Sequence, residues 1–180
     1  GGPQRPLKRP LVALGVAGWV ALKAPSVRAA ALFGWLFGLG YFVFGLSWIS
    51  LPIWNSLQES IWQAPFALLF LAAGLTLFWG AAFGLTARVP SGIGRLTMLV
   101  ALWSLAEIGR AYVFTGFPWA AFGQVWLDTP VAHLLPLIGP QGVALLTLGG
   151  FVPLAFLVQR RPLAALLPFG LSALAVFASP

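Results

Sequence analysis

Long apolar blocks without charge most strongly constrain the fold of this chain. Residues 29–49 contain no Asp, Glu, Lys or Arg, and neither do residues 61–87. A helix of about 20 predominantly apolar residues crosses the hydrocarbon layer of a bilayer. Because backbone polar groups in lipid must be satisfied within their own segment, such blocks predict membrane-spanning helices rather than an open sheet.

The composition agrees with a membrane protein. Hydrophobic residues make up 60% of the chain and charged residues 7%, whereas about a quarter of the residues of a soluble domain are charged. Ten basic and three acidic side chains are too few to cover a water-soluble surface.

We therefore predict an all-α, polytopic transmembrane helix bundle with about five full spans and a short or truncated first helix. Residues 1–10 form a polar, basic boundary segment, and residues 11–180 form the transmembrane domain. The predicted apolar segments are 11–22, 29–49, 62–85, 96–114, 142–158 and 163–178.

The first of these segments has two interpretations. A basic start before a short apolar core is typical of a signal peptide. However, no small-residue cleavage site follows it, and Lys23, Pro25 and Arg28 come at once. We interpret the segment as a truncated helix whose natural predecessor is missing.

The basic residues between the segments predict an orientation. The connection 50–61 has no Lys or Arg, whereas Arg88, Arg95, Arg160 and Arg161 lie in the connections 86–95 and 159–162. The positive-inside bias places these arginines in the cytoplasm and the chain end on the opposite side. Tryptophans, which prefer the membrane interface, cluster on that opposite side: Trp48, Trp54, Trp62, Trp119 and Trp126.

Other classes of site are not indicated. The net charge is +7, but the basic residues separate apolar blocks instead of forming the basic face that nucleic acid requires. The absence of cysteine excludes disulfides, thiolate metal sites and a cysteine nucleophile within these residues. His133 is the only histidine and the acidic residues are scattered, so no metal site or cofactor is predicted.

One predicted span contains an acid and a base. Glu107 and Arg110 are three residues apart, so on a helix they share a face and can form an ion pair, and Ser104 lies on the same face. Ionisable residues at membrane depth are candidates for function. The alternatives are a polar network that shapes a substrate cavity and an ion pair that only locks helices together.

An irregular segment follows that span. Gly116 and Pro118 end the helix, while Thr115 can bond the freed backbone groups. At the outer membrane surface, irregular backbone is stable only where protein or water surrounds it, which favours a cavity or docking surface. An aromatic anchor with a helix break, in the segment that also contains Phe117 and Trp119, is the alternative.

Two patterns of small residues predict close helix packing. Gly34 and Gly38 are four residues apart, as are Gly80 and Gly84. Small residues at this spacing allow membrane helices to approach closely.

The run Trp-Ser-Leu-Ala-Glu-Ile-Gly-Arg at 103–110, followed by Phe-Thr-Gly-Phe-Pro-Trp at 114–119, resembles the apolipoprotein N-acyltransferase family. Supporting pieces are the glycine-aromatic run at 34–42 and Phe-Gly-Gln at 122–124, which adds Gln124 to the candidate site. The resemblance covers roughly residues 11–180.

This resemblance implies an enzyme of the bacterial inner membrane that transfers an acyl chain from a phospholipid to the N-terminal cysteine of a diacylated apolipoprotein. The family's catalysis resides in a nitrilase-like domain with a glutamate-lysine-cysteine triad. Since this sequence has no cysteine, no catalytic residue is assigned here, and whether the chain alone is an enzyme stays open. The C-terminal end is expected to face the periplasm.

The predicted function is therefore a membrane-anchoring and lipid-access domain of such an acyltransferase. Its expected partners are the phospholipid donor, the apolipoprotein acceptor and membrane lipids. The alternative is a non-catalytic membrane interaction module fused to, or partnering, another transferase. The candidate site comprises Ser104, Glu107, Arg110, Thr115, Gly116, Phe117, Pro118, Trp119 and Gln124.

Overall fold

The computed structural model describes residues 8–49, 63–113, 120–127 and 129–155, with side chains described from residue 13 onward. Six α-helices lie in these ranges: α1 (Lys8–Lys23), α2 (Val27–Gly45), α3 (Gln63–Leu75), α4 (Leu77–Thr86), α5 (Ile93–Tyr112) and α6 (Leu135–Phe151). Short 3-10 helices cover Ser47–Ile49, Phe122–Trp126, Pro130–Leu134 and Val152–Leu154.

The all-α membrane bundle predicted from the sequence is confirmed. Three stretches of the described chain are long and apolar enough to cross a membrane: Val27–Gly45, Gln63–Thr86 and Pro130–Leu154. Helix α5 has 20 residues but carries Arg95, Glu107 and Arg110. The predicted segment 163–178 lies outside the described residues.

Helices α3 and α4 are nearly continuous at Thr76. The backbone N–H of Thr76 donates to the carbonyl of Ala72 at 3.0 Å, and the N–H of Gly80 donates to the carbonyl of Thr76 at 2.9 Å. Together the two helices form the 24-residue apolar stretch Gln63–Thr86.

Glycines bring α2 and α4 together, as the small-residue spacing predicts. A Cβ placed on Gly34 would lie 2.7 Å from the Phe83 ring, and one on Gly38 would lie 2.9 Å from the Trp79 ring. On the other helix, Gly80 faces the Ala31 carbonyl and Gly84 faces the Ala31 side chain. The four glycines therefore form the interface between these helices.

Helix α1 is packed into the bundle. Leu14 and Ala17 are buried, and Gly18 lies directly against the carbonyl of Val152. Arg95 ties this helix to α4, because its guanidinium donates to the carbonyls of Leu22 at 3.2 Å and Ala87 at 3.4 Å. The segment is thus a helix packed on the bundle, and its interpretation as a truncated helix stays a prediction.

Helix α6 contains a break at Gly139, whose φ of 70° and ψ of 171° are not helical. Pro140 follows at a position suited to the first turn of the next helical stretch. The helix begins at Leu135, before the predicted segment 142–158. The reason is that a helical turn lies before the break at Gly139 as well as after it.

Candidate functional site

Helix α5 carries a buried ion pair. Arg110 Nη2 lies 2.8 Å from Glu107 Oε2, and the two side chains are 1% and 3% exposed. The three-residue spacing on one helix makes the contact possible, and the pair expected from the sequence is present. Charges removed from solvent are tolerated only when paired and hydrogen-bonded.

Two further helices contribute to this pair. Trp79 of α4 donates its indole N–H to Glu107 Oε1 at 2.9 Å. The Arg110 guanidinium carbon lies 5.1 Å from the ring centroid of Phe42 on α2, within the range of a cation–π contact. The polar network, defined here as Trp79, Glu107, Arg110 and Phe42, thus joins α2, α4 and α5.

Trp79 is not among the site residues predicted from the sequence. It lies in a charge-free apolar block and resembles a packing residue, yet a buried indole N–H normally needs an acceptor. The need of this indole N–H for an acceptor is the signal that the sequence offers, but it does not identify Glu107 as the acceptor.

Aromatic rings surround the network. The Trp79 ring centroid lies 4.9 Å from that of Trp103, 5.2 Å from that of Tyr41 and 5.2 Å from that of Phe122. Tyr41 and Phe122 also stack on each other at 5.0 Å. The aromatic cluster, defined as Tyr41, Trp79, Trp103 and Phe122, joins the three helices to the 3-10 helix Phe122–Trp126.

The outer segment, defined as residues 120–127, is held on the bundle at several points. The Tyr41 hydroxyl donates to the carbonyl of Ala120 at 3.1 Å. Gly123 packs on the backbone of Pro140, where an added Cβ would lie 2.5 Å from the carbonyl oxygen. The Trp126 indole N–H donates to Thr147 Oγ1 at 2.7 Å.

The structure describes two of the remaining residues of the predicted site, Ser104 and Gln124. Ser104 is buried, but its hydroxyl has no hydrogen-bond partner within the described ranges, so it does not join the network there. Gln124 is exposed on the outer segment. Residues 115–119, with Thr115, Gly116, Phe117, Pro118 and Trp119, lie outside the described residues.

The Glu107 carboxylate is the shared acceptor of the polar network. Both carboxylate oxygens of Glu107 accept hydrogen bonds, one from Trp79 and one from Arg110. No group of three metal-ligating side chains occurs among the described residues. The arrangement fixes three helices and an aromatic wall around one buried charge pair.

A family model and several curated relatives match this chain, and all carry the same family name. A family model described as the apolipoprotein N-acyltransferase N-terminal domain matches residues 8–151. A protein of Allorhizobium ampelinum named apolipoprotein N-acyltransferase is 38% identical over 139 residues, which are 76% of this chain and 26% of that protein.

Two other relatives carry the same name. That of Rhodopseudomonas palustris is 37% identical over 147 residues, which are 80% of this chain and 27% of the relative. That of Brucella suis is 38% identical over 135 residues, which are 74% of this chain and 24% of the relative. The chain thus spans about a quarter of the length of the curated relatives it matches.

Proposed function

Because this chain belongs to the apolipoprotein N-acyltransferase family, we propose that its helices are the membrane-anchoring and lipid-access domain of such an enzyme. The parent enzyme transfers an acyl chain from a phospholipid to the N-terminal cysteine of a diacylated apolipoprotein. In this proposal the bond-making residues belong to a separate catalytic domain, and the helices described here bring the lipid to it.

The buried Glu107–Arg110 pair carries this proposal. It lies inside a bundle that matches the family's N-terminal domain, with both side chains at most 3% exposed. Ionisable residues at membrane depth are costly and mark functional sites by default. Links to Trp79 and Phe42 make the pair a fixed point at which three helices meet.

Helix α3, which packs on α2 and α4, has a surface that suits acyl chains. It exposes apolar side chains, including Phe66 at 55%, Leu69 at 46% and Phe70 at 78%. In a bilayer such side chains contact lipid tails. We propose that lipid tails reach the catalytic domain along this apolar surface, while the polar network keeps the helices and the outer segment in place.

The proposed location is the bacterial inner membrane. Lys23, Arg28 and Arg88 are exposed at the end of the bundle where Arg95 joins α1 and α4. The positive-inside bias supports placing this end in the cytoplasm. The outer segment and the polar network then lie toward the periplasm, on the side where lipoprotein acylation is proposed to occur.

Glu107→Gln tests the role of the pair in the intact acyltransferase. Glutamine keeps the size of the side chain and an acceptor for Trp79, but it removes the charge that faces Arg110. We expect turnover per folded molecule to fall by about tenfold, equivalent to about 1.4 kcal/mol. The measurement is acyl transfer from phospholipid to a diacylated lipopeptide with N-terminal cysteine, normalised to folded protein.

Arg95→Gln is the matched control. It also removes an arginine that ties helices together through several hydrogen bonds, but at the opposite end of the bundle. We expect it to reduce the amount of folded protein and to leave turnover per folded molecule unchanged. Normal turnover per folded molecule in Glu107→Gln would show that the pair is structural only.

A further inference from the structure

Ala120 has an unusual backbone conformation. Its φ of 54° is the one positive value at a non-glycine residue within the described ranges. The left-handed region brings Cβ of an L-residue close to the backbone, so alanine adopts it only where surrounding contacts hold it there. Glycine has no Cβ and adopts this region freely.

Tyr41 supplies the contact that holds Ala120. Its hydroxyl donates to the Ala120 carbonyl at 3.1 Å, across 79 residues of sequence. The ring itself is fixed, because it lies against Trp79 at 5.2 Å and Phe122 at 5.0 Å between centroids. The position of the hydroxyl group is therefore fixed by the packing of the Tyr41 ring.

The same tyrosine also connects the outer segment to the ion pair. Trp79, which packs on Tyr41, donates to Glu107. Phe122, two residues after Ala120, is 2% exposed and stacks on both Tyr41 and Trp79. A change in the conformation of Ala120 therefore alters how Phe122 enters the aromatic cluster.

We infer that Tyr41 is a positioning residue, whose hydroxyl holds Ala120 in the left-handed conformation and thereby docks the outer segment, residues 120–127, on the polar network. The hydrogen bond and the strained backbone oppose each other. Loss of the hydroxyl removes the contact at Ala120 that offsets this strain, so the outer segment then leaves the aromatic cluster more often.

The absence of cysteine from the chain gives a direct test. A spin label on Leu127→Cys, in the full chain in membrane vesicles, reports the mobility of the outer segment, because Leu127 is 58% exposed. Tyr41→Phe should raise the mobile fraction relative to the docked fraction by about fivefold, the change that one hydrogen bond of about 1 kcal/mol represents.

Ala120→Gly is the decisive second change. Glycine removes the backbone strain, so Tyr41→Phe combined with Ala120→Gly should return the label toward its original mobility. A label on Leu85→Cys, at the opposite end of α4 and 43% exposed, should be unchanged in every variant. An unchanged Leu127 label in Tyr41→Phe, or no recovery with Ala120→Gly, overturns the inference.

Ala120→Val is needed if Tyr41→Phe also increases the mobility of the Leu85 label, because Tyr41→Phe then disturbs the whole fold. Valine disfavours a positive φ more strongly than alanine does, and Tyr41 stays in place. It should release the Leu127 label and leave the Leu85 label unchanged. A Leu127 label that stays immobile in Ala120→Val contradicts the inference.

The consequence for catalysis rests on the proposed function. In the intact acyltransferase, Tyr41→Phe should raise KM for the phospholipid about fivefold with kcat nearly unchanged, and Ala120→Gly should reverse this. If the labels respond as expected but acyl transfer does not, the positioning role of Tyr41 stands and the lipid-access function is wrong.

Discussion

At the level of single residues, the buried ion pair depends on both partners. Glu107 and Arg110 are almost fully removed from solvent; the Glu107 carboxylate accepts hydrogen bonds from Arg110 and Trp79, and the Arg110 guanidinium lies over the Phe42 ring. Desolvation of two charges costs several kcal/mol per ion, and the attraction between them offsets this only when the geometry is good. Removal of one partner is therefore worse than removal of both.

Arg110→Met tests this dependence. Methionine approximates the length of the arginine side chain but leaves the Glu107 carboxylate with Trp79 as its described partner. We expect the free energy of unfolding to fall by about 3–5 kcal/mol. Unfolding of the protein in detergent, followed by circular dichroism, measures the change.

The double variant Glu107→Gln with Arg110→Met is the control for this measurement. It should be more stable than Arg110→Met alone, because no uncompensated charge then stays buried. Additive losses in the two single variants would show that the residues do not act as a pair.

At the level of helices, the contact between α2 and α4 depends on glycines that leave no room for a side chain. Gly34 faces Phe83, which is fully buried and packs on Phe33 and Trp103. Because the ring is held on both sides, it cannot move away from an added methyl group. Gly40, on the same helix, has open space at the Cβ position.

Gly34→Ala should therefore destabilise the bundle, whereas Gly40→Ala should not. An overpacked interface costs about 1–3 kcal/mol. At the open position, alanine is expected to stabilise the helix by about 0.5–1 kcal/mol, because glycine loses more backbone freedom on folding. Midpoints of thermal unfolding in the same detergent compare the two variants, and equal midpoints would contradict the glycine contact.

Local sequence patterns predicted those features that depend on neighbours along the chain. The charge-free blocks predict membrane helices, the four-residue glycine spacing predicts close helix packing without naming the partner, and the three-residue spacing of Glu107 and Arg110 predicts their pairing. Each follows from helical geometry alone. The functional role of the predicted site stays a prediction.

Features that depend on distant residues were not predicted. Tyr41 meets Ala120 across 79 residues, and Arg95 bonds the carbonyl of Leu22 across 73 residues. Arg95 was assigned to a cytoplasmic connection, yet it lies in the first turn of α5 and holds the C-terminal carbonyls of other helices. A single sequence contains no periodic signal for such contacts.

At the level of the whole molecule, the side chains that the structure describes differ between the two ends of the bundle. One end has exposed Lys23, Arg28 and Arg88, together with the carbonyls that Arg95 holds. Toward the other end lie Tyr41, the ion pair and the outer segment. This asymmetry makes the proposed orientation testable without any assay of catalysis.

Single cysteines in this cysteine-free chain report the orientation. Pro90 is exposed in the connection between α4 and α5, near the basic end, and Leu127 is exposed on the outer segment. Since basic connections stay in the cytoplasm, a membrane-impermeant maleimide added to cells with a permeabilised outer membrane should label Leu127→Cys but not Pro90→Cys. Lysis should make Pro90→Cys reactive, which confirms that its thiol is accessible.

Labelling of Pro90→Cys before lysis, with Leu127→Cys protected, would reverse the orientation and place the polar network on the cytoplasmic side, where it could not serve a periplasmic acyl transfer.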